Sequence, residues 1–118
     1  MKRMHNLPPA VDKFVRYNSW VKFARKLEAE LREHEEFGMY AESRTYSGHD
    51  AFLNTWRRIP LDNSIDEETT GRLIAWVKSK LPFEYLHERE TEPGGIRIEC
   101  DRTFVENHPM LHLAVRLE

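Results

Sequence analysis

The sequence predicts a two-layer α+β fold, in which one long N-terminal helix and two shorter helices pack on a C-terminal three- or four-stranded antiparallel meander. Three observations predict it. Apolar residues recur at helical spacing through the first third of the chain and again between Thr70 and Leu81. The last third switches to alternation of apolar and polar residues. Prolines and glycines mark the joins, at Pro60, Pro82 and Glu92-Pro93-Gly94-Gly95.

The first helix should start at Pro8-Pro9, because proline suits the first helical turn, and should run from Ala10 to Phe37. Gly38 is read as its stop, filling a left-handed position. Two apolar stripes lie out of phase along it: Val11, Phe14 and Val15 on one side, and Tyr17, Trp20, Ala24, Leu27 and Leu31 on another. Asn18 and Ser19, which compete for backbone hydrogen bonds, sit at the changeover. A kink or break is expected there, with residues 1–18 able to pack as a separate N-terminal arm of one domain spanning 1–118.

Met39 to Tyr46 reads as an edge strand or an extended loop. Ser47 to Asp50 supplies caps for a short helix carrying Phe52, Trp56 and Ile59 on one face and ending at Pro60. Ser64-Ile65-Asp66-Glu67 has the form of a capping box and opens a helix through Thr70, Leu73, Ile74, Val77 and Leu81. Pro82 closes it. Phe83-Glu84-Tyr85 opens a strand, and Glu92 to Gly95 suits a type II turn. Ile96, Ile98 and Cys100 then alternate with charged residues, and after Asn107-His108-Pro109 so do Leu111, Leu113, Val115 and Leu117 with His112, Ala114, Arg116 and Glu118. Such strands carry an apolar face for helices and a charged face for water.

The net charge of −2 argues against a generic polyanion binder, so any electrostatic recognition has to come from patches. Cys100 is the only cysteine, which rules out an internal disulfide and fits a reducing compartment. The N-terminal MKRMHNLPPA lacks the apolar run of a secretory leader, and no stretch approaches membrane-spanning length. An intracellular, cytoplasmic chain is expected.

The most informative pattern is the order of charges along the first helix. Up to Lys26 the basic residues are Lys2, Arg3, Lys13, Arg16, Lys22, Arg25 and Lys26, against Asp12 alone. From Leu27 to Glu42 the acids are Glu28, Glu30, Glu33, Glu35, Glu36 and Glu42, against Arg32. This order opposes the helix dipole, and a partner would relieve it. Two copies laid antiparallel set basic halves against acidic halves, as a two-fold dimer does automatically. The expected function is therefore non-catalytic protein contact, of the assembly, adaptor or inhibitor type, with itself or another protein. Compact chains without motifs of this kind are typical of phage and mobile-element accessory proteins. The expected contact residues are Lys22, Arg25, Lys26, Glu33, Glu36, Arg57, Arg58 and Trp76, the last as an aromatic anchor.

Two alternatives follow from the same residues. Lys22, Arg25, Lys26, Arg57 and Arg58 could contact the phosphates of a nucleic acid, although Tyr17 and Trp20 point with the apolar stripe and not among these cations. Glu99 and Asp101, with Glu84, Glu88 or His112 across the sheet, could hold Mg²⁺ for hydrolysis. Cys100, His108 and His112 do not converge as a zinc set, because Cys100 falls on the apolar face and His112 on the polar one. His49-Asp50 reads as a cap, Gly94-Gly95 as a turn and not a phosphate loop, and no serine sits in a nucleophile elbow. No cofactor, metal or catalytic residue is assigned.

Overall fold

A computed structural model describes residues 9–49, 54–81, 95–101 and 108–116, with the backbone alone described at 9–16 and at 54. The elements among them are α1 (Pro9–Glu33), β1 (Tyr46–His49), β2 (Asn54–Pro60), α2 (Glu67–Ser79), β3 (Ile96–Asp101) and β4 (Met110–Arg116). The four strands form one antiparallel sheet in the order β1-β2-β4-β3. The α+β class is as predicted; the meander is not. β4 inserts between β2 and β3, so the strands on either side of α2 are separated by the last one.

The largest correction falls on residues 47–60, read as a capped short helix. Residues 47–49 and 54–60 belong to β1 and β2 instead, paired from Tyr46↔Arg58 to His49↔Thr55. The three-residue spacing of Trp56 and Ile59 suggested a helix, but Thr55, Arg57 and Ile59 share one face and Trp56 and Arg58 the other. Long-range pairing decides between the two, since all seven residues of β2 pair with β4. Two helices are therefore present among the described residues, where three were expected. The strand expected at 83–85 and residues 92–94 of the expected turn lie outside the described residues. Gly95 accepts a hydrogen bond from the Arg116 N–H at 3.0 Å, beside the Ile96↔Val115 pair that opens β3.

α1 runs through Asn18 and Ser19 without a break. Both side chains are exposed, and the helix backbone continues through them. The stripe of Trp20, Ala24, Leu27 and Leu31 is buried against Ile59, Leu111, Leu113 and Val115 of the sheet. Leu73 and Val77 of α2 join the same core, with Phe37, Leu61 and Ile65 from the connections. One layer of helix thus covers one face of the sheet.

α1 stops at Glu33, four residues before the predicted end. His34 explains the early stop: its Nδ1 accepts hydrogen bonds from the N–H groups of Glu36 (3.0 Å) and Phe37 (3.2 Å). The chain then tightens, with the Gly38 N–H donating to the His34 carbonyl at 2.9 Å. Gly38 is needed for space and not for a left-handed backbone. A Cβ there would lie 2.5 Å from the Arg32 carbonyl oxygen and 2.7 Å from that of His34. At α2 the cap is Asp66, two residues after the expected Ser64; its carboxylate accepts from the Thr69 N–H at 2.7 Å. Glu67 and Glu68 in the first turn and Lys78 in the last both suit the helix dipole.

The two helical-region glycines should respond in opposite senses. Gly71→Ala, in the exposed middle of α2 with nothing within 4 Å of a new Cβ, should raise stability by about 1 kcal/mol. Gly38→Ala should lower it by about 2 kcal/mol, because backbone oxygens cannot step aside. Denaturant melts of the two variants would check both; a neutral Gly38→Ala would contradict the turn geometry.

Candidate interaction surface

Among the described residues, the sheet face beneath the helices presents one charge. Arg57 occupies the apolar side of the internal strand β2, opposite Leu113 of β4 and in line with Ile59. A guanidinium in that setting needs a counter-ion, and Glu28 of α1 provides it from above. Arg57 Nε donates to Glu28 Oε2, and its Nη2 donates to Oε1 at 3.0 Å, a two-point contact. The side chains are 12% and 4% exposed, so the pair belongs to the core and not to the surface.

Two further groups complete the network. The Thr45 hydroxyl donates to Glu28 Oε1 at 3.1 Å and accepts from Arg32 Nη2 at 2.8 Å. Arg32 also donates to the carbonyls of Glu42 (2.8 Å) and Arg44 (3.1 Å), fixing the segment that leads into β1. Glu28 and Arg32, one turn apart on α1, are thus turned inward and joined through Thr45. The sequence reading had placed Glu28 and Arg32 in a surface charge pattern and Arg57 among phosphate-binding residues. A cation at the centre of the triplet Thr55-Arg57-Ile59 was the available signal, but it becomes visible only once 54–60 is read as a strand.

With those residues committed to the fold, the outward side of α1 is left with Lys22, Arg25, Lys26, Ala29 and Glu33, all exposed. Their signs are divided along the helix, basic before Ala29 and acidic after it. None of the four charged residues takes part in an ion pair among the described residues. Glu36 does not continue this helix face. It lies beyond the end of α1 and pairs with Arg72 of α2 (Nη2–Oε2, 2.8 Å), which also reaches Glu68 at 3.3 Å. Trp76 is half-buried under the same turn, with its ring centroid 5.1 Å from that of His34 and 6.0 Å from that of Phe37, and Lys80 Nζ 5.6 Å away on its ring. Its described contacts are those of packing beneath a turn.

The opposite face of the sheet holds a second polar cluster. Arg58 lies over the Trp56 ring at 4.2 Å and donates from Nε to His112 Nδ1 at 2.9 Å. Trp56 in turn lies on Gly48, where a Cβ would come within 2.6 Å of the indole. Accepting at Nδ1 assigns the neutral His112 ring its proton at Nε2. Burial, and next the Arg58 charge, push the His112 pKa below its usual 6.5, against the opposing pull of Glu99. Glu99 is the register partner of His112, as the hydrolase alternative requires, but it also lies 3.6 Å from Arg97. No cluster of three metal-ligating side chains occurs among the described residues, and Glu84 and Glu88 lie outside them.

The five cations of the nucleic-acid alternative are therefore divided over three places. Lys22, Arg25 and Lys26 face outward on α1, Arg57 lies between helix and sheet, and Arg58 lies on the far face. Compared with protein-family models, curated proteins and solved structures, the chain matches none. No helix among the described residues is long and apolar enough to cross a membrane.

Two outcomes follow. Glu28→Gln should cost about 3–5 kcal/mol by leaving Arg57 charged and buried, while Glu28→Leu with Arg57→Met should recover most of the loss; chemical denaturation of the variants would measure both. His112 gives a pH signature. Because its folded pKa is lowered, the unfolded chain binds more protons just below 6.5, so this contribution to stability is complete above that value. It drains as pH falls through the lowered folded value. Melting curves across this range should lose that slope in His112→Gln, and an unchanged slope would assign it elsewhere.

Proposed function

We propose that this chain is a small intracellular binding protein without catalytic activity, working by protein–protein contact through the outward face of α1. The observation that carries this reading is the sorting of charges on one helix. Glu28 and Arg32 turn inward to hold Arg57 and Thr45, whereas Lys22, Arg25, Lys26 and Glu33 stay exposed around Ala29 with no ion pair among the described residues. Charged side chains arranged in blocks give orientation and register to an encounter more than affinity. Ala29, the small residue between the blocks, lets another backbone approach closely.

Protein contact also accounts for these residues better than nucleic-acid contact. Phosphate recognition gains from several cations on one surface with aromatic rings among them. Here three cations share the α1 face, an acid shares it with them, and Arg57 and Arg58 lie elsewhere.

A photo-activated cross-linking residue tests the reading directly. Placed at position 29 and activated in intact cells, it should give a discrete protein adduct; placed at Ser79, exposed on α2, it should give none. Equal labelling from both positions, or none from position 29, would overturn the proposal.

A further inference from the structure

We infer that the partner is a second copy of this chain, with the two α1 helices antiparallel and crossing at Ala29; the inference rests on the reading of the α1 face as the working surface. A two-fold contact pairs residue i of one copy with j of the other, and j with i. About Ala29, Arg25 lies four positions before the centre and Glu33 four after it. Spacings of four keep residues on one side of a helix, so these two and Ala29 form a single outward stripe. Antiparallel pairing about that point brings Arg25 of each copy to Glu33 of the other, twice over. Lys22 and Glu36 stand in the same relation at seven positions, although Glu36 lies past the helix end and is shared with Arg72.

The alternatives are disfavoured by the same residues. A parallel pair sets Arg25 against Arg25 and Glu33 against Glu33. Antiparallel pairing shifted by one helical turn leaves Arg25 or Glu33, depending on its direction, opposite Ala29 and loses both Arg25–Glu33 pairs. Two like-charge oppositions arise in the preferred register, Lys26 with Arg32 and Glu28 with Glu30. Each is relieved inside a copy, because Arg32 spends its donors on Thr45 and the carbonyls of Glu42 and Arg44 and Glu28 is turned inward onto Arg57. The arrangement combines an attractive register with repulsion in the wrong ones, which is how charged helices select their pairing.

Contacts made of exposed ion pairs give a weak dimer that salt dissolves. Sedimentation equilibrium of the full chain over a range of protein concentrations, at about 20 and about 500 mM salt, should show a dimer weakened about tenfold or more in the higher salt. Arg25→Glu alone and Glu33→Arg alone should each be monomeric under the low-salt condition, with wild-type circular dichroism. The double variant should regain the dimer. Mixing the two single variants should give a heterodimer, since each then offers the sign the other lacks. A wild-type chain that stays monomeric at every concentration overturns self-pairing; if the residue at position 29 still captures a different protein, the α1 face survives as the working surface. A dimer indifferent to both charge reversals overturns the register and the face together.

Discussion

The ion pair between Glu28 and Arg57 is the constraint on which the arrangement of helix and sheet depends. It sits in the apolar layer where α1 crosses β2, and neither charge can be buried there without the other. A wholly apolar contact would tolerate sliding or rotation of the helix by part of a turn. A two-point contact between guanidinium and carboxylate does not, because both oxygens and both nitrogens must meet. The pair therefore fixes where along β2 the helix lies and which way it is rotated. That rotation in turn decides which side chains of α1 are left facing water.

The effect spreads through Thr45 and Arg32. One hydroxyl links the carboxylate to a second guanidinium, and that guanidinium holds the backbone leading into β1. β1 is a short edge strand whose pairing with β2 extends over four residues, so anchoring its approach from the helix side supports an element with little pairing of its own. On the far face, Trp56 lying on Gly48 and Arg58 lying on Trp56 hold the same two strands together from the other side. Consecutive residues of β2 thus serve opposite faces, Arg57 towards α1 and Arg58 towards His112, as the alternation of a strand requires.

Much of the fold was legible in the sequence, and the exceptions have physical causes. β3 and β4 were readable because each alternates cleanly and their apolar positions meet one face. α2 was readable from its period, while its cap is Asp66 and not Ser64, because the helix starts at Glu67 and the Asp66 carboxylate is the one in place to accept from the Thr69 N–H. The end of α1 was hidden because His34 resembles any helical residue until its ring is seen accepting two backbone N–H groups. β2 was misread because Trp56, Ile59 and Pro60 fit both a helix end and a strand, and only the pairing partner, 50 to 62 residues further along the chain, distinguishes them. Of the candidate contact residues, Lys22, Arg25, Lys26 and Glu33 lie exposed on α1 as read. Arg57 does not, since a charge in a strand interior betrays itself only through the partner it must have.

The structure also changes the meaning of the charge order that first singled out α1. The dipole argument assumed that the helix ended near Phe37, with acids crowding its C-terminal end. Because α1 ends at Glu33, Glu35 and Glu36 lie beyond it, Arg32 shares the last turn with Glu30 and Glu33, and Lys22, Arg25 and Lys26 stand far from either end. Dipole effects fade within one turn of a terminus, so the local conflict shrinks to Glu30 and Glu33 beside Arg32. A different asymmetry carries more weight. The acid at position 28 has an internal use and the base at position 32 has another, whereas the outward bases and Glu33 take no part in either network. The case for a partner therefore passes from relief of an unfavourable helix to the sign pattern of an exposed stripe, whose two halves match each other only when a second stripe runs the opposite way.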